Sequence, residues 1–372
     1  AEDGIRHQPR SRGLGDVYKR QTYRYGVLVT KLPPSDLASQ NFGWAHKICE
    51  PGASSVRSTP TKYMFVSAPG ANSDAGRVYM YEWGVGADGS TYSSWTQCLQ
   101  ITSNDPGTDK RFGHRLQAND NGDILAVSSV APGNAGKVEI FVRASQSTDD
   151  SVQHSFTHVQ TLTGVSAEDS TLNTSFGDTM SMSKDGTILV IGAPGNDTSS
   201  AVDSGAVYYY KWDAAGDSTL TYTLQQTILS PDTQSNSAFG SSLDLNNAGT
   251  RLVIGAEKFS NSRPTNFDSG ETTFDLQDTV FVDENVGSGA AYTATMYNTK
   301  FVIDDRLVTS SVSPDDDFGR GVCVTDNSVF VGAPNDDGNV ATDGSTKIVN
   351  DGTVAHFDLN VNGEYAWKQL AY

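Results

Sequence analysis

The feature that most constrains this chain is a dipeptide that returns five times. Phe-Gly pairs stand at Phe42-Gly43, Phe112-Gly113, Phe176-Gly177, Phe239-Gly240 and Phe318-Gly319, with 70, 64, 63 and 79 residues between successive phenylalanines. The same events follow each pair in the same order, so the chain is built from repeats. In the third copy a short run, FGDTMSMS, leads into the turn Lys184-Asp185-Gly186. An apolar run follows, Ile188-Leu189-Val190-Ile191, and ends at Gly192-Ala193-Pro194. A polar loop then reaches Gly205 and the segment AVYYYKW, and TYTLQQTIL leads on toward the next Phe-Gly.

The other copies match. The apolar run reads YMFVSAP at 63–69, ILAVSS at 124–129, RLVIGAE at 251–257 and VFVGAP at 329–334, the last ending in Gly332-Ala333-Pro334. The segment after the polar loop reads GRVYMYEW, GKVEIFVR, GAAYTATM and GTVAHFDL. Each unit therefore offers four strands, which can form one twisted antiparallel sheet. One such sheet cannot bury both its faces, so neighbouring sheets must stack. Radial stacking leaves only short edges exposed. The consecutive apolar residues of the ILVI run suit a strand buried on both faces. The Tyr-rich segment suits a more outer strand packed between sheets, and KDG, NNAG and NDNG are hairpin turns in which Gly or Asn takes positive φ. The proline, having no N–H, ends strand pairing. The expected fold is an all-β propeller of four-stranded antiparallel blades.

Composition agrees. The chain is rich in glycine (36) and carries 15 Tyr, 15 Phe and 5 Trp, which suits many tight turns around an aromatic core and excludes disorder. The net charge of −18 sets it against nucleic acid, whose phosphates repel it, and favours divalent cations. No apolar stretch is long enough to be a membrane-spanning helix, so membrane insertion is not expected. Cys49, Cys98 and Cys323 are odd in number, which excludes a full disulfide framework. Three small buried residues is the favoured reading and one disulfide the alternative. Residues 1–21 show no strand alternation and resemble translated adapter read-through, so they are set aside as a non-native leader. They hold five basic and three acidic side chains, so the remainder, 22–372, is more acidic still.

The repeated residues resemble the FG-GAP repeat family, found as the blades of integrin α-chain propellers and in bacterial, algal and viral surface proteins. The likeness covers residues 22–372 and is strongest at 176–194 and 318–334. It weakens in the second copy, where Ser128-Ser129 replaces Gly-Ala, and in the fourth, where Glu257 replaces Pro. The wording of the repeats also resembles that of large virion structural proteins of marine cyanobacterial phages. A strand of the fourth type at 23–31 and another at 367–372 make five full units plus a surplus strand. Truncation of a larger propeller at the C-terminal end is the favoured expectation, and closure by five blades the alternative.

The resemblance implies a calcium site in many blades, held by an Asp-rich loop in which alternate oxygens wrap the ion. The turns NDNGD at 119–123, SKDGT at 183–187, DLNNAG at 244–249 and TDNS at 325–328 lack the last acidic ligand, so they read as plain hairpins. The loops after Gly-Ala-Pro are richer in oxygens: Asn196 and Asp197 with Asp203, and Asn335, Asp336 and Asp337 with Asp343. Asp336, Asp337, Asp343, Asp197 and Asp203 are thus the candidate metal ligands, with calcium the one cofactor they suggest and a solvated acidic loop the competing reading. Asp315-Asp316-Asp317 is a third acidic cluster. The fourth copy carries a long insertion, 32 residues over 257–288 against 12 over 193–204, in which TTFDLQDTVFV alternates and could add a hairpin. Asn173-Thr174-Ser175 and Asn196-Asp197-Thr198 match the glycosylation sequon, a frequent chance match in so Ser/Thr/Asn-rich a chain.

Catalysis finds little support. The six histidines form no H-E-x-x-H, and there is no G-x-S-x-G. The carboxylates fall in turns rather than in an evident pair. The expected role is a non-catalytic structural or adhesive module on a virion or extracellular surface, binding protein or glycan partners, or other subunits of a virion or filament, through blade loops. An integrin-like cell-surface adhesin and a propeller glycoside hydrolase are the alternatives.

Overall fold

The computed structural model describes residues 41–51, 62–85, 91–107, 110–131, 135–143, 155–164, 174–213, 221–264, 281–285, 287–308, 314–336, 352–359 and 365–368. The leader at 1–21 and the surplus strand at 23–31 lie outside them.

Five four-stranded antiparallel sheets follow one another along the chain. The first holds β1 (His46–Cys49), β2 (Lys62–Ala68), β3 (Arg77–Val85) and β4 (Thr91–Ile101). The second holds β5 (Phe112–Ala118), β6 (Ile124–Ser129), β7 (Lys137–Arg143) and β8 (Phe156–Leu162). The third holds β9 (Thr179–Met182), β10 (Ile188–Ala193), β11 (Ala206–Asp213) and β12 (Thr221–Leu229). In the fourth, β13 (Ser242–Leu245) and β14 (Arg251–Ala256) are separated by the hairpin β15 (Asn261–Pro264) and β16 (Phe281–Asn285) from β17 (Ala290–Tyr297) and β18 (Lys300–Leu307). The fifth holds β19 (Gly321–Val324), β20 (Ser328–Ala333), β21 (Thr353–Leu359) and β22 (Tyr365–Lys368). In every sheet the strands pair in chain order. The insertion in the fourth copy does add a hairpin, but its first strand comes from Asn261–Pro264, upstream of the alternating stretch.

The ILVI run explains how sheets stack. Leu189 and Ile191 join the core between the second and third sheets, with Tyr208 and Tyr210. Val190 and Tyr209 point the other way, into the core shared with the fourth sheet. Period-two alternation thus feeds two cores from one strand, and each fully buried side chain of this kind contributes about 1.5–3 kcal/mol. The pairing of third with fourth strand slips at a matching place in four sheets, Met80/Tyr81, Ile140/Phe141, Tyr209/Tyr210 and Thr293/Ala294, and in the first sheet again at Trp83/Val85. Such bulges increase local twist.

The Phe-Gly motif is a corner that seats one sheet on the previous one. The residue before it is left-handed in all five copies: Asn41, Arg111, Ser175, Ala238 and Asp317 have φ between +53° and +59°. The phenylalanine packs edge-on against the third strand of its own sheet, as Phe176 does on Tyr208 and Phe239 on Tyr292. Its N–H reaches back to the preceding sheet: Phe112 to Ala75, Phe176 to Ala135, Phe239 to Ser204 and Phe318 to Ser288. The next residue on that preceding sheet is always glycine, and Gly205 shows why. Its φ is +83°, and a Cβ there would lie 2.1 Å from the Phe239 carbonyl oxygen.

Candidate functional site

The first strands β1, β5, β9, β13 and β19 contact one another in that order. Each gives a residue to the wall of one cavity of about 300 Å³: Lys47, Gln117, Ser181, Asp244 and Val324. The first four stand five residues past their motif phenylalanine. A fixed offset from a repeated motif was therefore readable in the sequence, but the polar residues at that offset differ so much that no composition signal marks them. The hairpin turns Asn246-Asn247 and Thr325-Asp326 complete the wall.

A chain of hydrogen bonds runs from sheet to sheet around this cavity. Gln117 Nε2 donates to the Met180 carbonyl at 3.0 Å. The Leu245 N–H donates to Ser181 Oγ at 3.1 Å, and Ser181 Oγ donates to Asp244 Oδ1 at 3.4 Å. Asp244 Oδ2 accepts the Val324 N–H at 2.8 Å, and Asn246 Nδ2 donates to Asp326 Oδ1 at 2.7 Å. These carboxylates tie neighbouring sheets together. Two residues past the motif phenylalanine, where each first strand begins, Trp44, His114 and Asp178 form a row from three successive sheets. Trp44 is 53% exposed and its ring lies 6.0 Å from that of His114, whose Nε2 is 2.8 Å from Asp178 Oδ1.

The turns are hairpins held by their own side chains. Asn119 Oδ1 accepts the N–H groups of Asp123 and Ile124, each at 3.1 Å. Asn246 Oδ1 does the same for Thr250 and Arg251, at 2.8 and 3.0 Å. In the third sheet Asp185 Oδ1 accepts from Ser183 Oγ at 2.7 Å and from the Thr187 N–H at 2.9 Å. Burial acts to raise the Asp185 carboxyl, but the hydrogen bonds from Ser183 and Thr187 outweigh it and hold the group below the usual carboxylate range.

Of the candidate metal ligands, Asp197 and Asp203 meet within one loop, where Asp197 Oδ1 accepts the Asp203 N–H at 2.7 Å. Asp336 occupies the corresponding loop of the fifth sheet and its Oδ2 accepts from Thr353 Oγ1 at 2.6 Å. Asp337 and Asp343 lie outside the described residues. Among the described residues no three His, Cys, Asp or Glu side chains come together as a metal-ligand group. In the third acidic cluster, Asp317 is a joint between sheets. It pairs with Lys258 from the fourth sheet and with Arg320 Nη1 at 3.2 Å, and it accepts from Asn335 Nδ2 at 2.9 Å. Glu257, standing where the first, third and fifth copies have proline, is half-buried there, and desolvation raises its carboxyl against the pull of Arg320.

The second sequon is closed by burial, and the expectation of three buried cysteines is corrected. Asn196 of the second sequon is 5% exposed and accepts from the Tyr208 hydroxyl at 3.2 Å, so its amide is closed to a glycosyltransferase in the folded protein. Asn173 lies outside the described residues. The cysteines are all free, but only Cys49 is buried; Cys98 is partly covered and Cys323 is exposed. Burial pushes the Cys49 and Cys98 thiols up to about 12.

Residues 157–210 match the family model described as FG-GAP repeat. The chain carries an FG-GAP repeat. The matched segment runs from β8 through the third sheet's β9 and β10 to most of β11, and so includes Phe176-Gly177 and Gly192-Ala193-Pro194. No curated protein matches the chain. Among the described residues no helix is long and apolar enough to cross a membrane.

Proposed function

We propose that the five FG-GAP sheets are blades of a β-propeller, and that the chain is a non-catalytic structural or adhesive module displayed on a virion or extracellular surface. It holds protein or glycan partners through the loops and first-strand corners of its blades. One observation carries this reading: all five first strands put a residue on the wall of a single cavity, as a radial arrangement requires. Such a scaffold is rigid, and rigid scaffolds display binding loops. The described carboxylates around the cavity support a non-catalytic role, because Asp244 and Asp326 accept hydrogen bonds from neighbouring sheets. The exposed Trp44 beside His114 and Asp178 offers an aromatic face next to hydrogen-bonding groups, which suits a sugar ring or a peptide.

A glycan and peptide array probed with the whole protein and with Trp44→Ala tests this. Retention of a ligand class by the native protein, lost in Trp44→Ala and without shortening of the glycan, is expected. Release of new reducing ends would assign a hydrolase instead, and equal binding by both proteins would remove Trp44 from the site.

A further inference from the structure

The cavity on which the first strands converge holds opposite charges that do not meet. Its wall takes Gln117, Ser181 and Asp244 from three successive first strands, Asn247 and Asp326 from hairpin turns, and Lys47 from β1. These groups lie toward the turn end of the strands, away from the Phe-Gly corners that carry Trp44 and His114. First strands line the axis of a propeller whatever its blade number. A further unit, or closure by five, therefore adds to this wall and does not fill the space it surrounds.

The hydrogen bonds that join the sheets leave part of the wall unused. Gln117 gives its Nε2 to the Met180 carbonyl at 3.0 Å, and among the described residues nothing meets its Oε1. Asp326 accepts from Asn246 Nδ2 at 2.7 Å on Oδ1 alone, which leaves Oδ2 open. The bond from the Lys184 N–H to Asn247 uses the backbone carbonyl, so the Asn247 side-chain amide is open too. Lys47 is the one cation on the described wall. Among the described residues its ammonium makes no hydrogen bond or ion pair, although Asp244 and Asp326 line the same space.

Such a wall sorts ligands by charge. An anion would meet Lys47 but face two carboxylates. A divalent cation would meet the carboxylates but face the ammonium, and among the described residues no three acidic side chains gather to complete an oxygen cage. A sugar ring would find no aromatic face among the described residues that line the cavity. A molecule that carries both charges satisfies both sides.

We propose that the cavity binds a small free amino acid with a polar side chain. Its carboxylate meets Lys47, its ammonium meets Asp244 and Asp326 Oδ2, and its side chain meets the amides of Gln117 and Asn247. A volume of about 300 Å³ holds one such molecule with a few waters. The site is separate from the Trp44 corner and stands whether or not that corner takes a glycan.

Isothermal titration calorimetry and melting curves of the whole protein test this. The probes are L-asparagine, L-serine and L-glutamine, with methylammonium and acetate as the separated charges. L-Asparagine should bind and raise the melting temperature, because it binds the folded state. Methylammonium and acetate should each bind at least about tenfold more weakly, since each meets only one side of the wall. Lys47→Met keeps the side-chain stem and removes a charge that holds nothing in the ligand-free protein. Its own melting curve should match the parent, while its affinity for L-asparagine falls at least about tenfold. Asp326→Asn keeps an acceptor for Asn246 and should lower the affinity by a similar factor. Absence of heat and of a thermal shift with all three amino acids overturns the proposal, as does a Lys47→Met protein that binds like the parent. Methylammonium or calcium bound as tightly as L-asparagine would assign a plain cation site and overturn it as well.

Discussion

Gly192 and Gly332 hold the same place in the third and fifth sheets, yet their surroundings differ. A Cβ on Gly192 would lie 2.2 Å from Thr179 Oγ1 and 2.3 Å from the carbonyl oxygen of Gly240 in the next sheet. The nearest atom to a Cβ on Gly332 is its own sheet's Gly321 carbonyl oxygen, at 3.6 Å. The glycine of Gly-Ala-Pro is thus required both by the junction between units and by the first-strand hydroxyl of its own sheet that reaches into that junction. The first two sheets show the alternative solution. There Ser67 and Ser128 replace the glycine, and their hydroxyls accept the N–H groups of Ala45 and Arg115, each at 3.0 Å. The polar atom has moved from the first strand to the second, which is why the motif reads as degraded in the second copy while its junction stays intact.

The sharpest way to break this comparison is the pair Gly192→Ala and Gly332→Ala. The first drives a methyl group into two oxygens on neighbouring backbone and side chain, and should cost about 3 kcal/mol. The second meets only an ordinary contact at 3.6 Å and should be neutral or stabilising by up to about 1 kcal/mol, since alanine loses less chain entropy on folding. Equal melting temperatures for the two variants would show that the third and fourth sheets are not seated as described. Next in size is Val207→Ala against Val354→Ala, the residues paired with those two glycines. Removing methyls from a fully buried site should cost about 2 kcal/mol, and from the exposed one about 0–0.5 kcal/mol. Urea unfolding of dilute protein measures both.

Thr179→Val asks what the hydroxyl latch contributes. Thr179 Oγ1 donates to the Gly240 carbonyl at 2.6 Å across the junction, and Ser242 Oγ does the same to Gly319 at 2.6 Å. Valine keeps the shape and removes the donor, so the loss should be about 1 kcal/mol. The fifth sheet carries Gly321 at this place, so the comparison is built into the molecule. A Thr179→Val protein as stable as the parent would mean that the close approach of the two glycines, and not the latch, holds the junction.

The sequence made the repeats, the strand content and the Phe-Gly and Gly-Ala-Pro landmarks legible, because each rests on local chemistry: turn residues, alternation and a proline without an N–H. It also pointed to the Tyr-rich strand as packed between sheets, and Tyr208 and Tyr209 do face different cores. The left-handed residue before each Phe-Gly was not legible. Asn41 and Asp317 tolerate that conformation, but Arg111 and Ala238 give no hint of it, because the preceding sheet imposes the backbone from outside, where Asp74 and Asp203 carbonyls accept their N–H groups. The cavity wall escaped for a related reason. Lys47, Gln117, Ser181 and Asp244 share an offset but no chemistry, and only the stacking brings them together. The plain-hairpin reading of the 244–249 turn was legible, and Asn246 Oδ1 does accept the N–H groups of its own turn, whereas the partners of Asp317, Lys258 and Arg320, follow only from the stacking.

The smallest effect separates a turn held by a charge from one held by an amide. Asp185 and Asn119 do the same work in neighbouring sheets, each accepting N–H groups of its own hairpin. Only Asp185 titrates. Its folded carboxyl lies below the ordinary value of 3.8, so the folded state binds its proton more weakly than the unfolded chain does. Its stabilising contribution is therefore fully present above that ordinary value and disappears as pH falls through the depressed folded one. Asp185→Asn removes the titration and leaves an amide like that of Asn119. The melting temperature of the parent should exceed that of Asp185→Asn by on the order of 1 °C at neutral pH, because the carboxylate is mostly solvated. The gap should close on acidification to below that folded value. A gap that stays constant down to strong acid would mean that the turn depends on hydrogen-bond geometry alone, and that charge adds nothing beyond what Asn119 supplies next door.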